Sequence, residues 1–171
     1  MRRLVLIAAL LLAGISTASA APLKPELSGL AFLLGTWAAG GKVADTGGSA
    51  RGKSHITAEA GGAVLQRHDH TDLYDAAGKP AGGFDQLMTV YAEAGAIHAD
   101  YFDGTHVIHY AQAEITPGKS VVFTTAPGGG PVFRLAYELK APDGLEIAFA
   151  MAPPGQTAFN PIATGTVHRT R

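Results

Sequence analysis

The stretch Leu30–Trp37, "LAFLLGTW", decides how the chain is read. It packs five apolar residues together, stops at Gly35-Thr36, and delivers the chain's one tryptophan. Working back to Pro25, the residues Leu27, Leu30, Phe32, Leu33 and Leu34 exceed the single apolar stripe of an amphipathic surface helix. The segment therefore reads as a short helix or turn that plugs the end of a larger assembly. Gly35 breaks it, and Trp37 enters an extended segment pointing into the floor of that assembly.

Beyond Trp37 helical periodicity nearly vanishes. Short alternating runs rich in Val, Ile, Thr, Phe and Tyr take its place, which is strand chemistry. The template gives about ten strands, at 36–43, 50–59, 63–73, 84–92, 96–102, 105–115, 119–126, 131–139, 145–151 and 162–170. Turn residues separate them: Asp-Ala-Ala-Gly at 75–78, Ala-Gly at 94–95, Asp-Gly at 103–104, Pro-Gly at 117–118 and Pro-Asp-Gly at 142–144. No helical segment interrupts the series, so a parallel βαβ sheet is disfavoured. In 145–151, Leu145, Ile147, Phe149 and Met151 share one face; in 131–139, Phe133, Leu135, Tyr137 and Leu139 do the same. One buried and one wet face, repeated in hairpins, predict an all-β fold: a single antiparallel β-barrel capped at one end by the N-terminal helix.

The first twenty residues stand apart. Two arginines precede an apolar core from Leu4 to Ala13 and a small-residue end at Ala18-Ser19-Ala20, the layout of a cleavable signal peptide. Its core is shorter than the ~20 residues of a membrane span, and without cysteine there is no lipid-anchor site. The expectation is a signal peptide at 1–20, one domain at 21–171, and a periplasmic or secreted location. Without Arg2 and Arg3 the 13 Lys and Arg fall to 11 against 14 Asp and Glu, a formal charge of −3. Nucleic acid is therefore not an expected partner. The lack of cysteine also removes disulfides, thiol nucleophiles and thiolate metal sites.

The short apolar helix ending "FLLGTW", the ten strands and the terminal "MAPPGQTAFNPIATGTVHRTR" resemble the nitrobindin-like, lipocalin-related barrels, an exported bacterial branch included. The resemblance implies the barrel, an interior cavity and, in nitrobindins, heme held by a histidine that follows a proline in the terminal segment. Here Pro161 is followed by Ile162, whose side chain has no lone pair for iron, so no heme is expected at that position. His168 lies six residues further, ~20 Å along a strand, too far to substitute.

Two clusters carry candidate chemistry. In "RHDHTD", Arg67–Asp72, strand alternation puts His68, His70 and Asp72 on one face and Arg67, Asp69 and Thr71 on the other. His-x-His on a strand could begin a divalent metal site, and with Gly62 ahead of it resembles the opening of the cupin motif, whose second half is missing. A polar strand face is the plainer reading. In "ADYFDGTHVIHY", Ala99–Tyr110, a hairpin gathers Tyr101, Asp103, His106, His109 and Tyr110, polar groups able to orient a ligand. The functional expectation is non-catalytic binding of a small, largely apolar ligand. Trp37, Met88 and Phe149 would form the apolar wall; His68, His70, Tyr101, His106 and His109 would make the polar contacts. The alternative is a heme- or metal-dependent barrel enzyme, using His68 and His70 in its cupin-like form.

Overall fold

In the computed structural model, residues 22–42 and 47–170 are described, so the leader expected at 1–20 lies outside the described residues. Leu27, Leu30 and Leu33 are spaced by three, and a 3-10 helix with three residues per turn stacks them in one line. That helix runs Pro25–Leu33, with Pro25 at its start, and all three leucines are no more than 2% exposed. It ends where Gly35 takes φ +123°, a conformation that disfavours any side chain; a Cβ there would also meet the Arg169 guanidinium at 2.5 Å.

Ten strands follow: β1 (Gly35–Lys42), β2 (Ser49–Glu59), β3 (Val64–Tyr74), β4 (Pro80–Glu93), β5 (Ala96–Phe102), β6 (Val107–Thr116), β7 (Ser120–Thr125), β8 (Val132–Ala141), β9 (Gly144–Ala152) and β10 (Asn160–Thr170). Each pairs antiparallel with its neighbour in sequence, and β1 pairs with β10 to close the barrel. The turns do what their residues dictate. The Asp75 carboxylate accepts from the amides of Ala77 and Lys79, both at 2.9 Å. Ala94 and Gly95 take the paired positive φ of a tight hairpin turn. β4 begins four residues earlier than the sequence indicates, because its glycine-rich start pairs with β3 as far as Tyr74. β6 begins two residues later, because Thr105 and His106 belong to the turn.

Trp37 joins the plug to the barrel. It is fully buried, its indole Nε1 donates to the Leu33 carbonyl at 2.8 Å, and the Arg169 guanidinium lies 4.1 Å over its ring. Arg169 also donates to the carbonyls of Leu34 and Phe32, so the last strand is tied to the helix at the seam.

The interior divides into two halves. Around the plug the inward residues are large: Ile56, Leu65, Val90, Val121, Phe123, Tyr137 and Leu145 pack with the three leucines into one buried cluster. At the other end the register turns Ala39, Gly41, Ala50, Gly52, Gly82, Ala163 and Gly165 inward. A Cβ added at Gly41, Gly82 or Gly165 meets nothing within 4 Å. Small inward residues cannot fill a ten-strand barrel, and that end stays open.

Candidate functional site

Leu65 on β3 is buried, so alternation carries Arg67, Asp69 and Thr71 inward with it. Their cross-strand partners on β2 are Ile56, Ser54 and Gly52; on β4 they are Met88, Gln86 and Phe84. The inward face of "RHDHTD" is thus Arg67 and Asp69, and the expectation that His68 and His70 contact a cavity ligand is corrected: both lie outside. His68 stands opposite His55 across β2, and His70 Nδ1 lies 2.7 Å from Asp85 and Nε2 3.2 Å from Asp72. Those two carboxylates raise the pKa of His70.

The inward polar groups form a floor across the barrel. Arg67 grips Asp69 through both Nε, at 2.9 Å, and Nη2. Its Nη1 donates to the Tyr137 hydroxyl, which points its own proton at the Met88 sulfur 3.7 Å away. Both members of the Arg67–Asp69 pair have side chains only 11% exposed. Burial pulls the Arg67 pKa down, but Tyr137 and Asp69 outweigh it and hold the guanidinium charged. Next along the floor, Gln86 Nε2 donates to the Tyr101 hydroxyl, which donates to Asp103 at 3.3 Å. Burial and the neighbouring Asp103 push the Tyr101 phenol up to about 12.

Above this floor opens a cavity of about 690 Å³, within the range of small-molecule sites. Its walls are Ile108, Phe133, Leu135, Ile147 and Phe149, with Ala163 on the open side. Phe133 and Phe149 stack at 5.7 Å with an 11° interplanar angle. The polar groups reaching it come from Arg67, Gln86, Tyr101, Asp103, His106 and Tyr110. A groove of similar volume passes His55, His68 and His70 on the outside of β2–β4 and also touches Asp69, Gln86 and Asp103. There the His70 and Asp85 side chains are 57% and 83% exposed, so a molecule in the groove would keep much of its surface in water. The interior cavity is the larger of the two that set buried polar groups in apolar walls among the described residues.

Of the residues expected to bind ligand, the structure brings Tyr101, His106 and Phe149 to this cavity. Trp37 sits deeper, beside a chamber of about 150 Å³ shared with Ser54 and Asp69. Ser54 Oγ is sealed there without a protein partner. Met88 lies beneath the floor against Arg67 and Tyr137. His109 is corrected to the outer face: Tyr110 turns inward, so its neighbour points out, where Nδ1 lies 2.7 Å from Asp100. Sequence reasoning misses Arg67, Asp69 and Tyr137 as site residues, and it names Tyr110 among the hairpin's polar groups without placing it in the ligand-binding set. Their signal was parity: Arg67 and Asp69 share a face with buried Leu65, Tyr137 with buried Leu135 and Val121, and Tyr110 stands opposite buried Ala99.

The cavity mouth is shaped by Asp103. Its Oδ1 accepts from the amides of His106 at 2.7 Å and Thr105 at 3.0 Å, with the His106 imidazole 3.2 Å from Oδ2. These backbone donors hold the carboxyl down to about 2. A carboxylate whose folded pKa is depressed stabilises the fold above its unfolded value of about 3.9, and that stability fades as pH falls towards 2. Asp103→Ala should therefore lower the melting temperature at pH 6, and the difference from the wild type should shrink steadily between pH 4 and pH 2. A difference that does not vary with pH would mean the carboxylate charge plays no part in holding the turn.

Ile162, where the resemblance implies an iron-ligating histidine, occupies a bulge between Pro161 and Ala163 and is 53% exposed. It offers no donor atom, so the residues there do not fit heme ligation. Of the seven histidines only His106 lines the cavity. Among the described residues no group of three or more His, Asp or Glu side chains gathers to hold a metal ion, and no helix is long and apolar enough to cross a membrane.

No family model and no curated protein matches the chain. Among solved structures, Rv2717c from M. tuberculosis is similar in fold: TM-score 0.55 over 87% of this chain and 99% of that one, at 18% sequence identity. At that identity the likeness shows a shared β-barrel fold and nothing of what either protein binds.

Proposed function

We propose that this barrel is an exported binding protein that takes a small, largely apolar ligand into the cavity above the Arg67–Tyr101 floor, without catalysis. The observation that carries the reading is the contrast between the halves of one interior. Large side chains fill the plug end, while about 690 Å³ stays open beyond the floor, walled by Phe133, Ile147 and Phe149 with Ala163 on the open side. An apolar molecule entering there is removed from water at about 25 cal/mol per Å² of its surface. The leader-like first twenty residues supply the exported part of the reading, and the nitrobindin-like pattern supports a ligand-holding barrel without supplying its iron ligand.

The test uses N-phenyl-1-naphthylamine, a neutral probe that fluoresces when taken out of water. The wild type should bind one equivalent with strong enhancement. Gly165→Phe places a ring in the open space beside Ala163 and opposite Ile147. It should abolish the enhancement while leaving the melting temperature within about 3 °C, since the packed half is untouched. Enhancement that survives Gly165→Phe would place the probe elsewhere, and no enhancement in the folded wild type would remove the proposal.

A further inference from the structure

The chemistry of the ligand can be read one step further, resting on the binding proposal above. Three phenols meet the cavity or its floor, and two are engaged: Tyr101 between Gln86 and Asp103, Tyr137 between Arg67 and Met88. Tyr110 is different. It is 2% exposed, lines the cavity, packs its ring against Phe123, and makes no hydrogen bond among the described residues. Ser54 Oγ is the one side-chain atom among those residues that is both sealed and partnerless, so the Tyr110 hydroxyl opens onto cavity space. A hydroxyl so placed takes its partner from whatever fills the cavity, and so orients it.

We infer that the ligand is a neutral, flat, ring-bearing molecule with a hydrogen-bond acceptor, of the carbonyl type, that accepts from the Tyr110 hydroxyl. Neutrality follows from the charges. The cavity's one guanidinium is already matched by Asp69, and Asp103 adds a carboxylate at the mouth. An anion would meet one like charge and no unpaired cation, since His106 lies against Asp103, and a cation would find both carboxylates engaged. Flatness follows from the parallel Phe133 and Phe149 rings, which offer aromatic faces for offset stacking. The donor role follows from burial, which with Tyr137 and Tyr101 nearby raises the Tyr110 pKa and keeps its proton in place at any physiological pH.

Three probes of one shape test this: 2-acetylnaphthalene, the hydrocarbon 2-isopropenylnaphthalene and the anion 2-naphthoate, titrated calorimetrically at pH 7. The wild type should prefer the ketone over the hydrocarbon by about fivefold, the yield of one net hydrogen bond. It should bind the anion at least about tenfold more weakly than the ketone. Tyr110→Phe should erase the ketone preference while leaving hydrocarbon affinity within about twofold. The carbonyl stretch of the bound ketone, shifted to lower frequency in the wild type, should move back in that variant. If all three probes bind but Tyr110→Phe changes neither ratio nor stretch, or if naphthoate binds best, the inference fails and the binding proposal stands. If none of the three binds the folded protein, the binding proposal fails with it.

Discussion

Asp69→Ala should lower the unfolding free energy by about 3–5 kcal/mol, measured by urea titration, because it strands a charged guanidinium in the barrel interior. Arg67 cannot discharge to escape. Its Nε and Nη2 lose both carboxylate oxygens, and the Tyr137 hydroxyl that remains is a single neutral partner. The pair itself is a different quantity from the cost of breaking it. In Arg67→Met with Asp69→Leu both charges leave together, and stability should return to within about 2 kcal/mol of the wild type. The residual loss reflects the Tyr137 hydroxyl, which keeps only its contact with Met88 sulfur. A loss below about 1 kcal/mol for Asp69→Ala would mean that water reaches Arg67 freely and that the pair behaves as a surface one. The floor of the proposed cavity would then be wetter than its geometry implies.

Trp37→Ala should cost a similar amount, about 3–5 kcal/mol, and lower the melting temperature by roughly 6–20 °C. Three losses coincide in that one side chain. A fully buried ring disappears from the packed half, the Leu33 carbonyl loses its indole donor, and Arg169 loses the face it lies over. The 3-10 helix is too short to hold itself, and Leu27, Leu30 and Leu33 keep their burial only while the barrel end is there to receive them. Trp37→Phe separates these terms, since it keeps most of the volume and an aromatic face and removes only the donor. It should cost about 1–2 kcal/mol. Circular dichroism is the readout for both, because either variant removes the only tryptophan. Equal losses for the two variants would place the whole effect in the Leu33 hydrogen bond rather than in packing.

Much of the fold could be read without coordinates, for local reasons. Alternation and turn chemistry are properties of a few adjacent residues, and so the ten strands, their hairpins and the helix ending at Gly35 were all legible. Tyr101, His106 and Phe149 reached the cavity as expected because each sits in a hairpin or strand whose face was unambiguous. His68 and His70 did not. The segment Arg67–Asp72 is polar on both faces, so alternation sorts its residues into two sets without saying which set is inside. Imidazole drew the reading to one set, and the buried Leu65 on the same parity as Arg67 pointed to the other. His109 failed for the same reason, next to an inward Tyr110.

By itself the sequence determined an antiparallel barrel closed on a leucine plug, because period-two alternation, turn residues and the Leu27-Leu30-Leu33 spacing act through neighbours along the chain. It also held, unread, the run of glycine and alanine at inward positions that leaves one end open. What only the tertiary structure decided is which groups share that space. Arg67, Asp69 and Tyr137 meet, and Tyr110 keeps a free hydroxyl, through the register of β3 against β4 and of β5 against β6, and through closure that carries β8 across from β3. Register and closure are long-range facts: they bring together Arg67 and Tyr137, which lie seventy residues apart in the chain.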